Sequence, residues 1–257
     1  MQTFTITFGD RVENHAGMQL LGNILDAGYT LEELNNAKNW FEARNNECEL
    51  INLKDYVLNL VNDNYDAYIL IIRNGLNSIL HTSLDFFNEQ NELEKDTKVY
   101  MRGAVKNKLA RYNLCFADTA QEPDYENKKG RVVAFEDVPL LNKVRLMLHE
   151  IMNTDKAKNL YAEGNYYYDI NKCGIGFHGD SERKTVIGIR VGASMPLHFQ
   201  WFQKSIPIGE RCELLLHDAD IYIMSERATG FNWKKRLIPT LRHAAGCKKY
   251  LTIKNKT

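Results

Sequence analysis

From residue 164 onward, short β-type runs follow one another at close spacing: Thr185 to Val191, Leu197 to Phe202, Cys212 to Leu216, Ile221 to Met224, Thr240 to His243 and Tyr250 to Lys254. Turn residues separate them. Such spacing predicts an all-β barrel or double-sheet roll. Helical signals lie upstream. Thr30-Leu31-Glu32-Glu33 has the capping-box pattern, and Leu31, Leu34, Ala37 and Phe41 follow at helical spacing, which predicts a helix over 31–44. A second helix is expected near 16–27. Ala67 to Ile72 reads as a buried strand that stops at the turn signal Asn74-Gly75. Pro139 opens a helix whose apolar stripe, Leu140, Val144, Met147, Leu148 and Ile151, would brace a sheet. The expected fold is therefore α+β: a β-roll braced by helices, with a mixed α/β N-terminal extension.

At 257 residues the chain can build one substantial core, or a core domain with an extension. No stretch approaches the roughly 20 apolar residues that span a bilayer. The opening Met1-Gln2-Thr3-Phe4 lacks the basic and apolar regions of a signal peptide. A soluble intracellular monomer, in cytoplasm or nucleus and away from membranes, is the expectation. Cys48, Cys115, Cys173, Cys212 and Cys247 are scattered, odd in number and without a C-x-x-C pair, so reduced thiols are expected. The formal charge of zero hides an asymmetry. Residues 1–96 carry 16 acidic and 6 basic side chains, a net of minus ten, and the remainder carries plus ten. The C-terminal part favours anionic partners, or the two parts attract each other across an internal interface.

Chemistry concentrates at His178-Gly179-Asp180. Side chains at i and i+2 of a strand leave the same face, so His178 and Asp180 can grip one cation from one side. His198, His217 and His243 are the candidates for a third ligand. His243 is preferred, because His217 heads a turn-like His217-Asp218-Ala219-Asp220 and His198 follows the pair too soon for a complete roll of strands. Two histidines and one carboxylate form a facial set that leaves the opposite positions open, as non-haem Fe(II) oxygenases require. Upstream, Asp10, Glu13, Asn14 and His15 form a polar cluster read as a helix cap.

Several separated pieces resemble the AlkB-type iron and 2-oxoglutarate dioxygenases of the double-stranded β-helix (jelly-roll) superfamily. Asn165-Tyr166-Tyr167 is similar to an N-x-Y element, and Ile175 to Arg183 is similar to the I-G-x-H-x-D-x-E-R segment. Lys248 to Lys254 resembles the closing R-x-N-L-T-F-R strand, with lysines at both arginine positions. Guanidinium offers a carboxylate a planar fork and ammonium a point charge, so the position of the basic clamp differs from the family pattern. Arg242 and Arg236 compete with Lys254 for that task, although alternation turns Arg242 away from His243.

The resemblance implies Fe(II) held by His178, Asp180 and His243, and 2-oxoglutarate held by Lys254 with Asn165, Tyr167 and Lys248 as further contacts. It implies oxidative demethylation or hydroxylation of a nucleic-acid base, with succinate as co-product. The basic stretch Thr97 to Ala117 has no acidic residue and interleaves Lys98, Arg102, Lys106, Lys108 and Arg111 with Tyr100, Tyr112 and Phe116. Cations on phosphates and rings on bases are the expected features of a nucleic-acid groove, and 97–117 loosely resembles the family's substrate lid. Lys108, Arg111 and Tyr112, with Glu182 and Arg183, are the expected substrate contacts. The division expected is 1–95, without assigned role, and 96–257 as the oxygenase domain. Hydroxylation of a protein side chain or small metabolite is the alternative activity, and a metal-free β-roll binding module the non-enzymatic one.

Overall fold

The computed structural model describes residues 1–57 and 65–253. Its strands are β1 (Thr3–Gly9), β2 (Arg11–Glu13), β3 (Leu20–Gly22), β4 (Cys48–Asn52), β5 (Tyr68–Ile72), β6 (Lys98–Met101), β7 (Ala104–Asn107) and β8 (Tyr112–Ala117). They continue as β9 (Val132–Ala134), β10 (Tyr161–Tyr167), β11 (Gly174–His178), β12 (Val186–Gly192), β13 (Met195–Gln203), β14 (Ile206–Leu216), β15 (Ile221–Met224) and β16 (Thr240–Gly246). The helices are α1 (Leu31–Glu42), α2 (Asn77–Leu80), α3 (Ser83–Glu92), α4 (Pro139–Met152) and α5 (Lys248–Leu251).

A large sheet runs in the order β4-β5-β15-β12-β1-β10-β8-β9, and a smaller one in the order β11-β16-β13-β14. Strand alternation sorts the faces of the large sheet. Phe4, Ile6 and Phe8 of β1 and Ile187, Ile189 and Val191 of β12 pack with Leu34, Phe41, Phe86 and Leu148 of the helices. The alternate residues Ile69, Ile71 and Val186 pack with Leu197, Phe199, Trp201 and Leu241 of the small sheet. The result is a mixed α+β, sheet-rich fold in three layers: helices, large sheet, small sheet.

The α1 capping box forms as expected: Glu33 N–H donates to Thr30 Oγ1, and Thr30 N–H donates to the Glu33 carboxylate. Pro139 occupies the first turn of α4. Two expectations are corrected. No helix covers 16–27; that stretch holds β3, the second arm of the β2-β3 hairpin, and an irregular segment. Asp10 accepts the backbone N–H of Leu25, Lys184 and Thr185, so long-range hydrogen bonds tie this segment down and override its local pattern. The closing strand expected at Tyr250 to Lys254 is also absent among the described residues, where α5 stands in its place. Gly246 ends β16 at φ 125°, where an added Cβ would lie 2.3 Å from Gly174 Cα, so the chain leaves the sheet there.

Residue 95 is not a break in the sheet. β1, from the N-terminal segment, lies between β12 and β10, and β4 and β5 extend the same sheet. The five cysteines are free, and among the described residues no helix is long and apolar enough to cross a membrane.

Candidate metal centre

His178 ends β11 and pairs in register with His243 of β16, so two imidazoles stand side by side on the small sheet. The chain then bends, and Asp180 N–H donates to the Thr229 carbonyl at 2.9 Å. Gly179 permits this approach, because a Cβ there would lie 2.2 Å from the Gly230 oxygen. Nε2 of His178 and Nε2 of His243 lie 3.6 and 3.5 Å from Asp180 Oδ1. One ligand atom from each residue falls within 4.8 Å of the others, a group that could hold a metal ion.

The protonation pattern fits that role. His178 Nδ1 is 2.8 Å from the Gly176 carbonyl, which can only accept, so Nδ1 carries the proton and Nε2 keeps its lone pair. Burial, reinforced by the neighbouring His243, lowers His178 to about 4, so the imidazole is neutral at pH 7. Burial opposes ionisation of Asp180, but His243 and the Arg183 guanidinium outweigh it and hold the carboxyl well below its ordinary range. His243 Nδ1 is buried without a hydrogen-bond partner. The other two histidine candidates lie elsewhere. His198 Nδ1 stands 3.8 Å from Glu213, and His217 Nδ1 is 2.8 Å from the Ser194 hydroxyl.

The three donors open into a cavity of about 740 Å³ between the sheets. Because Phe4, Ile6 and Phe8 point to the helices, Thr5 and Thr7 point into the cavity, and the same alternation delivers Glu163, Asn165 and Tyr167 from β10 and Arg190 from β12. Arg190 is 1% exposed, and it makes no ion pair among the described residues. Its Nη1 meets only the Met195 sulfur, at 3.2 Å, and its Nε has no partner. Thr5, directly opposite in register, has a buried hydroxyl that is also without a partner. A buried charge in that condition calls for an anion.

Nearer the metal group, Arg183 is held by Glu163 at 2.6 Å and by Glu182 at 2.9 Å. Glu13 and His15 complete this wall. Burial, then the nearby Glu182 and Glu163, pushes the Glu13 carboxyl up to about 7.

No family model matches the chain. It is 49% identical over 252 residues to an uncharacterized protein of Acanthamoeba polyphaga mimivirus, a match that covers 97% of this chain and 98% of that protein. The chain belongs to that protein's family.

Of the contacts expected from sequence, Asn165, Tyr167, Glu182, Arg183 and Arg111 all reach the cavity wall. The Asn165 amide is already committed, accepting from Arg111 and Asn113 and donating to Glu163. Lys108 does not reach the wall as a phosphate contact. Its ammonium is buried and donates to Asn14 at 2.7 Å and Asn113 at 3.1 Å. Tyr112 stacks on Tyr168 at 4.9 Å outside the cavity, and Phe116 is in the core. Lys248 is exposed at the start of α5, beside a different cavity shared with His198 and Arg211. Lys254 lies outside the described residues. Neither competitor replaces it, since Arg242 lies over the Phe202 ring and Arg236 is in an exposed loop.

The polar cluster read as a helix cap has another role. Asp10 staples strands together, and Glu13, Asn14 and His15 line the cavity. Arg190, Thr5, Trp233 and Lys234 were not anticipated as site residues. The signal for Arg190 is a charged residue at an inward position of Val186-Ile187-Gly188-Ile189-Arg190-Val191, a run otherwise apolar enough to be buried on both faces.

Proposed function

We propose that this protein is an Fe(II)- and 2-oxoglutarate-dependent dioxygenase of the AlkB type that oxidises a nucleic-acid base. One observation carries the reading: two histidines and a carboxylate share a cavity with a buried arginine that makes no ion pair among the described residues. The first set suits a ferrous ion with open positions, and the second suits the far carboxylate of a dicarboxylic co-substrate. Two facing sheets of largely antiparallel strands, with His178 and His243 on neighbouring strands, support a double-stranded β-helix core.

Each residue then has a task. His178, Asp180 and His243 hold the metal, which, with the co-substrate bound, supplies the oxidising chemistry. Arg190 takes over the clamp expected of Lys254, and the Thr5 hydroxyl adds a second donor beside it. Tyr167, whose ring centroid is 5.7 Å from the Arg190 guanidinium, walls the co-substrate end. Glu182 Oε1 is tied to Arg183, leaving Oε2 to accept from the edge of an extruded base. Arg111 stands at the wall just beyond the β6-β7 hairpin, where Lys98, Arg102 and Lys106 are exposed for phosphates.

The test is anaerobic titration with Fe(II) and 2-oxoglutarate, then succinate measurement on admitting oxygen with a panel of methylated oligonucleotides. Succinate release stimulated by one oligonucleotide, and lost in Asp180→Ala, is expected. Release stimulated only by peptides or small metabolites would move the activity to the alternative substrates. Ligand binding that survives Asp180→Ala, with no metal bound by the wild type, would leave a binding module.

A further inference from the structure

From Phe231 to the C-terminal end the chain carries eight lysines and arginines and no acidic residue. Three of them, Lys234, Lys235 and Arg236, stand exposed in the loop between Gly230 and β16. The loop is held in place. Lys204 N–H donates to the Arg236 carbonyl at 2.7 Å, and the Gln203 amide donates to the Leu237 carbonyl at 3.3 Å. That pinning sets Lys204, in the β13-β14 turn, beside Arg236. None of these four cations makes an ion pair among the described residues. Leu237 is 79% exposed and Ile238 38%, so the tip presents apolar side chains within a ring of positive charge.

The loop starts at the cavity. Trp233 and Lys234 both line it, and the Trp233 ring is backed by the Arg242 guanidinium at 5.2 Å. A chain of phosphates lying on Lys204, Lys235 and Arg236 is thus led past Lys234 to the rim of the metal cavity.

We infer that the loop 231–238 is the principal phosphate-binding edge of this protein, and that it holds a single nucleic-acid strand with Leu237 and Ile238 against its bases. The inference takes its ligand class from the proposed base-oxidising function, and it moves the main electrostatic contact from the 97–117 segment to the loop 231–238. Unpaired cations supply affinity and its salt dependence, while apolar side chains meet base faces without reading sequence. A membrane surface is the less fitting partner, because the cationic track runs into a cavity rather than around a continuous apolar face.

Fluorescence anisotropy with short labelled single strands of DNA and RNA, over a series of salt concentrations, tests this on the full chain. Reversing Lys234, Lys235 and Arg236 to Glu should weaken binding at least about tenfold and flatten the logarithmic salt slope by about 2, given a slope near 0.7 per phosphate contact on single strands. The matching reversal of Lys98, Arg102 and Lys106 should cost less. Leu237→Ser should lower affinity without changing the salt slope. All these side chains except Leu237 are exposed cations, and unchanged thermal melting confirms folding. The inference is overturned if the first reversal leaves affinity intact, if the wild type binds no oligonucleotide, or if it binds only vesicles containing phosphatidylserine. Oligonucleotide binding lost on reversal, in a protein that forms no succinate, would keep the surface and remove the dioxygenase.

Discussion

Arg190 holds a buried positive charge with no carboxylate in ion-pair contact among the described residues, which is a poor choice for stability and a good one for capturing an anion. Arg190→Met removes that charge at similar length. The free protein is expected to melt at the same temperature as the wild type or higher, whereas its affinity for 2-oxoglutarate, measured calorimetrically, falls about 10- to 100-fold, the loss expected for a charge-assisted pair of about 1.5 to 3 kcal/mol. A lower melting temperature with undiminished affinity would assign Arg190 to the fold instead. Glu13 offers a second reading by pH. Its carboxyl rises from 4.5 to about 7 on folding, chiefly through burial. A raised carboxyl contributes stability that is complete below pH 4.5 and is lost as pH climbs through 7. Glu13 is partly open to solvent, so the effect is discounted to about 1 kcal/mol. Denaturant unfolding should show the wild type losing stability between pH 4.5 and 7 relative to Glu13→Gln, whose profile is flatter there.

At the scale of elements, what sequence could show depended on whether a strand or helix is decided locally. The α1 helix was legible from Thr30 to Phe41 because cap and stripe lie within one stretch. The span 16–27 was not, since its conformation follows from Asp10 and its hydrogen bonds to residues about 175 positions away. The grouping of His178, Asp180 and His243 was legible by strand period and by the turn after His217, whereas the clamp expected at Lys254 falls outside the described residues. It was sought on a closing strand, where the described residues have α5, and β12, which carries the buried Arg190, was not considered. β12 also explains a glycine. A Cβ at Gly188 would lie 2.0 Å from the Tyr222 ring, which crosses the strand there and lines the cavity. Gly188→Ala should therefore cost about 1 to 3 kcal/mol, as overpacked sites do, and should narrow the cavity enough to weaken co-substrate binding as well. Urea unfolding with a parallel binding titration separates the two effects, and a neutral outcome in both would mean that Tyr222 moves aside freely.

For the molecule as a whole, the metal group sits where three distant stretches meet. His178 ends β11 and Asp180 follows it, His243 comes from β16, and the Asp180 turn is fastened to the 229–230 segment. The large sheet closes the site from the other side with β1, the N-terminal strand lodged between β10 and β12. A cation at this junction joins the end of β11 and its following turn to β16 only in the folded state, so it should stabilise the folded chain. At a hundredfold excess over its dissociation constant the gain is about 2.7 kcal/mol, or roughly 5 to 10 °C in melting temperature for a chain of this size. Anaerobic melting with Fe(II), or with Mn(II) in its place, should show that rise as one cooperative transition. Asp180→Ala should abolish the shift. Replacing His198, whose Nδ1 faces Glu213 rather than the metal group, should leave it intact. A shift that persisted in Asp180→Ala would place the cation elsewhere and remove the basis for an iron-dependent reaction.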